Sequence, residues 1–258
     1  MIPLKDYNPA RNTPVITIVL IAACVAIFVF VQPRGDDIDE AEFSYKTAAI
    51  PCEVVKARPL SVDEFSETRD GETEACTSDS ESRDSESRAE FPGKSVYLAV
   101  LYSMFLHGSP LHLGGNMLFL WVFGNNIEDR GKPTYLAFYL LAGLVATVAH
   151  VAVQPGSTVP VVGASGAIAG VMGAYLVLFP NVRIRSLIFL FFFVTFADLR
   201  AKWLLGAWFV LQFFTNRAEG VAWVAHVGGF AFGVLAGLLW RAMSPPEDYE
   251  TAVARPAF

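Results

Sequence analysis

Hydrophobic residues in this chain fall in long blocks rather than short alternating runs, and the blocks predict its elements. Thr13 to Val31, Leu111 to Ile127, Tyr135 to Val153, Ser165 to Phe179, Trp203 to Phe214 and Val221 to Trp240 are apolar stretches with few charges. A helix needs about 20 mostly apolar residues to cross a bilayer, fewer where protein or a cavity covers one end. Six membrane helices are therefore expected, the shorter and more polar ones facing one another rather than lipid. The first block is too long for a signal peptide, and no small-residue cleavage pattern follows it. A further block, Ile184 to Ala197, is bounded by Arg183, Arg185, Asp198 and Arg200. As a helix it would rise only about 21 Å, against hydrocarbon about 30 Å thick. It is expected to be interfacial or re-entrant, which also lets the polar groups described below enter from one side. The expected fold is an all-α, polytopic six-helix bundle.

Composition agrees with the membrane class: 53% of the 258 residues are hydrophobic and 17% are charged. Average soluble domains carry about 25% charged residues. The formal charge of −6 is local, because 17 of the 25 acidic residues and 8 of the 19 basic ones lie between Pro33 and Ser95. Outside that loop, Lys5, Arg11, Arg130, Lys132, Arg183, Arg185, Arg200, Lys202, Arg241 and Arg255 fall on one side of a six-span chain and Arg217 on the other. The bias of short loops toward basic residues on the inside then places both termini in the cytoplasm, in a multi-pass protein of the cell membrane.

The chain divides accordingly into an inner N-terminus (1–12), a first span (13–32), an acidic outer loop (33–95), a core with five further spans (96–241) and an inner tail (242–258). Up to Leu60 the loop mixes apolar residues with Pro51 and Pro59, and it is expected to pack on the outer surface. Ser61 to Glu90 is dominated by Ser, Glu, Asp, Thr and Arg, and is expected to be a flexible polyampholyte. Cys52 and Cys76 can pair if the loop faces an oxidising compartment; Cys24, in the first apolar block, reads as a small buried hydrophobe.

Helical rise places several polar residues at one depth. Ser165 lies fifteen residues from Pro180 and His226 fifteen from Arg241, each about 22 Å above the inner face. His112, sixteen residues from Glu128, lies at about 24 Å, and Asn116 a turn lower at about 18 Å. Polar groups at such depth are costly unless they face a cavity or one another. A serine hydroxyl beside an imidazole points to nucleophilic hydrolysis, with Ser165 as nucleophile and His226 as base. The backbone N–H of Ser165 at a helix N-terminus, with His112 and Asn116 on one face of another helix, can supply donors to an oxyanion. No Asp or Glu falls in that layer, so a dyad fits better than a triad.

These residues resemble the rhomboid family of intramembrane serine proteases. The resemblance covers about Leu101 to Trp240. It is carried by Phe105-Leu106-His107, His112-Leu113-Gly114-Gly115-Asn116, Gly124 to Arg130, Gly163-Ala164-Ser165-Gly166 and Ala225-His226-Val227-Gly228-Gly229. It implies a six-helix bundle of the short, prokaryotic type, with its site in the outer half of the membrane and no cofactor or metal. It further implies Ser165 and His226 as the catalytic dyad and His112 and Asn116 as oxyanion donors. Glu128 and Arg130 match a structural Glu-x-Arg element, and Gly229 a glycine that lets the histidine helix approach the serine helix. A Trp-Arg pair common in the family's first outer loop is not found here.

Each residue also has a plainer role. A lone serine in an apolar helix usually bonds a backbone carbonyl, and His226, His112 and Asn116 can bond across helices. Gly163, Gly166, Gly170, Gly229, Gly233 and Gly237 serve the turn and close packing. His107 is expected to brace the outer loop and His150 to be structural. Trp223 and Phe214 flank the short loop 215–220, as anchors or as a gate. The expected partners are single-span membrane proteins and the bilayer, not nucleic acid. A catalytically silent relative that binds membrane helices is the alternative. A transporter is disfavoured by the lack of paired ionisable residues in the spans.

Overall fold

The computed structural model describes residues 1–8, 10–35, 37–76, 88–190, 193–214 and 222–243. The elements in chain order are β1 (Ile2–Asp6), α1 (Val15–Phe30), α2 (Asp37–Thr47), α3 (Pro51–Lys56), α4 (Val62–Arg69), α5 (Val96–Ser103) and α6 (Pro110–Gly131). They continue with α7 (Tyr135–Val153), α8 (Ser165–Leu178), β2 (Arg183–Leu190), β3 (Phe193–Arg200), α9 (Ala201–Gln212) and α10 (Trp223–Met243). The apolar blocks correspond to α1, α6, α7, α8, α9 and α10. Of these, α7 and α10 are long and apolar enough to cross a membrane, while α1 and α8 are shorter apolar helices.

Helix α8 is the centre of the bundle, with every residue from Gly166 to Tyr175 buried. Its small residues allow this. A methyl group added at Gly173 would meet the Phe230 carbonyl of α10, and one at Gly170 would come within 2.5 Å of Ala142 Cβ on α7. Without a hydrophobic force between apolar helices in lipid, such close backbone approach is what holds them together. Residue Pro180 follows the end of α8, and the residue before a proline is turned away from helix.

The helical bundle carries one addition that the all-α expectation did not include. Strands β1, β2 and β3 form one antiparallel sheet in that order. Residues 184–190 and 193–197 are therefore paired antiparallel strands rather than helix, with Arg183 opposite Arg200 and Leu190 opposite Phe193. The cause is period-two patterning: Ile184 and Ser186 are buried while Arg183 and Arg185 point outward. Asp6 ends β1 and accepts hydrogen bonds from Tyr175 Oη at 2.5 Å, Asn126 Nδ2 at 2.7 Å and the Asn8 backbone at 2.5 Å. Burial outweighs these three donors and pushes its carboxyl up to about 7.

Part of the loop expected to be flexible is ordered. Ser61 caps α4, accepting from the Glu64 backbone, while the Glu64 carboxylate accepts from Ser61 N–H. Burial raises the Glu64 pKa, but the Arg58 guanidinium and the Ser61 N–H outweigh it and hold it at about 2. A disulfide joins Cys52 to Cys76, around a small core with Ile50 and Leu60. Next to Cys52 in sequence, Glu53 meets Lys94 Nζ at 2.6 Å, both side chains 1% exposed. A short polar segment thus orders because covalent and ionic ties replace the apolar area it lacks. The rest of that stretch, 77–87, lies outside the described residues, as do the loop 215–220 and the tail from 244 onward.

Candidate active site

Ser165 opens α8 two residues after Gly163, whose φ of +122° is a backbone conformation open to glycine and strained for other residues. A Cβ there would also lie 2.9 Å from His112 Nε2 and 3.5 Å from Asn116 Nδ2. The two side chains thus border the turn that delivers Ser165. His112 sits in the first turn of α6, which Pro110 begins and Ser109 caps by accepting from the His112 backbone at 3.1 Å. Asn116 is 8% exposed, and its Nδ2 has no hydrogen-bond partner among the described residues.

His226 lies one turn into α10, and its Nε2 is 2.8 Å from Ser165 Oγ. The closeness has a backbone cause. Gly229 of α10 packs on the Gly166 carbonyl and Gly233 on the Gly170 carbonyl, too near for any side chain. Both the serine and the histidine are only partly buried. On its other edge, His226 Nδ1 is 2.8 Å from Gln212 Oε1, and the Trp208 ring lies 5.8 Å from the imidazole. A histidine bonded on both edges is fixed in orientation, and its lone pair can face the serine proton.

The remaining expected residues are placed around this centre. His107 is 1% exposed and its backbone exchanges two hydrogen bonds of 2.9 Å with the Gln32 side chain; its ring stands edge-on to His112 at 5.3 Å. Glu128 accepts from the backbone N–H groups of Ile16 and Thr17 at 2.9 and 2.8 Å, satisfying orphan donors at the start of α1. Arg130 lies in the last turn of α6. His150, in the last turn of α7, is buried. Trp223 packs on Phe213 at 5.9 Å, and Phe214 is exposed.

The loop 154–163 before Ser165 is held by backbone bonds from the 33–95 region. Val161 N–H donates to the Ala49 carbonyl at 2.8 Å, Thr158 N–H to Thr73 at 2.9 Å, and Ser157 accepts from Cys52 N–H at 3.0 Å. The disulfide-bonded subdomain is thus fastened to the serine's own approach loop. Reasoning from sequence missed Gln212, which sits in the apolar block Trp203 to Phe214. Its signal was available: it is the one uncharged amide in that block.

Comparison with known proteins places the core of the chain in a family. The Rhomboid domain family model matches residues 94–242. A presenilin-associated rhomboid-like mitochondrial protein of Bos taurus is 33% identical over 159 residues, covering 57% of this chain and 40% of that protein. Rhomboid protein 1, a mitochondrial protein of Saccharomyces cerevisiae, is 32% identical over 153 residues, covering 54% of this chain and 41% of that protein. This chain therefore spans well under half the length of those curated relatives. With the family model covering more than half of the chain and apolar helices of membrane-crossing length in the fold, this chain belongs to the rhomboid family of membrane proteins.

Proposed function

We propose that the protein is an intramembrane serine endopeptidase acting through a Ser165–His226 dyad. The observation that carries this reading is the 2.8 Å approach of His226 Nε2 to Ser165 Oγ, across 61 residues of sequence. Proteases of this kind are typical of the rhomboid family.

In the proposed reaction, His226 takes the Ser165 proton as Oγ attacks the scissile carbonyl. The oxyanion is met by the Ser165 N–H and by His112 and Asn116, and an oriented donor in such a site is worth about 3 kcal/mol of barrier. His226 then gives its proton to the leaving amine, and a water activated by the same imidazole releases the acyl group.

The proposed topology has six spans, with both termini cytoplasmic and the protein in the cell membrane. Loop charge supports the orientation. So does the Cys52–Cys76 disulfide, which fits a 33–95 loop on the oxidising side. The substrates proposed are single-span membrane proteins, which must unwind locally because an intact helix satisfies its own carbonyls. Helix-weakening residues and a small residue at the cleavage position would therefore be favoured. The silent-relative reading has no observation in its favour. Purified protein in liposomes should cut a single-span model substrate, and Ser165→Ala should abolish cutting while helical content is kept. Cutting by that variant at the wild-type rate overturns the dyad.

A further inference from the structure

Gln212 closes α9, is 7% exposed, and is bound at both ends of its carboxamide. Its Nε2 donates to the Trp208 carbonyl one turn back at 3.1 Å, and its Oε1 faces His226 Nδ1 at 2.8 Å. A carbonyl can only accept, so the amide's nitrogen end is committed to Trp208 and its oxygen end to the imidazole. An oxygen acceptor at Nδ1 requires the proton there, which leaves Nε2 as the lone pair facing Ser165. The Trp208 ring, 5.8 Å from the imidazole and on the same helix as Gln212, limits its tilt.

We infer that Gln212 is a positioning residue of the Ser165–His226 pair, holding the imidazole in the tautomer and rotation that accept the serine proton. The inference rests on the protease reading above. It gives the site a third member that acts without charge: the amide oxygen orients the base as a carboxylate would, but does not bring an anion to lipid depth, where an ion is costly. The assignment also explains why α9 carries a buried amide, an expensive group unless fully bonded. The other titratable side chains near enough to influence His226 are His112 of α6 and His150 of α7.

The test is cleavage of a single-span model substrate by full-length protein in liposomes, measured as kcat and KM from pH 5 to pH 9. Wild type is compared with Gln212→Met, Gln212→Glu and Ser165→Ala, with His112 and His150 retained throughout. Gln212→Met keeps the side-chain length but loses the acceptor, and kcat should fall about a hundredfold while KM stays within about twofold, as expected when a reacting group is misplaced. Gln212→Glu keeps the acceptor and adds a charge beside the imidazole. It should retain kcat within about tenfold, and the acidic limb of kcat/KM should move upward by about one pH unit. Wild-type kcat in Gln212→Met overturns the inference. So does a similar loss in both variants with the limb unmoved, which marks a purely structural amide. Full cleavage by Ser165→Ala overturns the protease reading itself, and the inference with it.

Discussion

Gly229 packs against the carbonyl of Gly166, so the backbones of α10 and α8 touch one residue beyond Ser165 and three beyond His226. The reactive contact is set by this approach, not by the two side chains reaching toward each other. Gly229→Val should push the helices apart, cost about 1–3 kcal/mol as an overpacked interface, and lower cleavage about a hundredfold through misplacement of the base. Thermal unfolding in detergent and cleavage kinetics check this. Gly206 of α9, where an added Cβ meets nothing within 4 Å, is the control and should accept alanine without loss of activity.

The three-stranded sheet carries a pH-dependent tie. Asp6 has its carboxyl raised from 3.8 to about 7 by burial. A carboxyl raised on folding binds its proton more tightly in the folded state. Its favourable contribution is therefore complete below about pH 4 and is lost as pH climbs toward 7. Amide exchange in β1 should quicken between pH 5 and pH 7 beyond its intrinsic rate. In Asp6→Asn that extra component should vanish. An unchanged pH response in the variant contradicts the assignment.

The disulfide-bonded subdomain depends on an enclosed ion pair. Burial pushes the Glu53 carboxyl up and the Lys94 ammonium down, while their 2.6 Å contact opposes both shifts. Lys94→Met leaves Glu53 buried and unpaired and should destabilise the subdomain by about 3–5 kcal/mol. Lys94→Met with Glu53→Gln should recover much of that. Limited proteolysis between 33 and 95 reads both effects. Reduction of Cys52–Cys76 should weaken the same unit by about 3 kcal/mol. It should also slow cleavage, because Ala49, Cys52 and Thr73 bond the loop 154–163 before Ser165.

Glu128 anchors the first helix through two backbone donors. Glu128→Ala leaves Ile16 and Thr17 N–H groups unmet and should lower stability by about 3–6 kcal/mol, since bonds to a charged acceptor are worth about 1.5–3 kcal/mol each. Glu128→Gln keeps one good acceptor and should cost about half as much. The active-site geometry, at the far end of α6, should be kept in both, so cleavage measured well below the unfolding temperature should hold.

What was legible in the sequence follows from which forces leave a periodic or compositional trace. Apolar blocks marked α1, α6, α7, α8, α9 and α10 because burial in a bundle demands them. Ser165 and His226 were legible because glycines border the serine's turn and Gly228-Gly229 follows the histidine, and helical rise set both at one depth. Strands β2 and β3 are not legible from the length of that block, which suggests a short helix, although Arg183, Ile184, Arg185 and Ser186 alternate with period two. Helix α4 was missed because its order comes from a capping box, a disulfide and a buried ion pair, none of which raises local hydrophobicity. Gln212 was passed over because a single amide does not break an apolar pattern; only its two hydrogen bonds reveal what it touches.

The central claim, that His226 activates Ser165, is tested most directly by labelling the folded protein with a serine-reactive fluorophosphonate and mapping the adduct by mass spectrometry. The account predicts a single adduct at Ser165 in the wild-type protein, reduced at least about a hundredfold in His226→Ala as general-base assistance is removed. Equal labelling of Ser165 in His226→Ala, or an adduct on a different serine with Ser165 untouched, would contradict it.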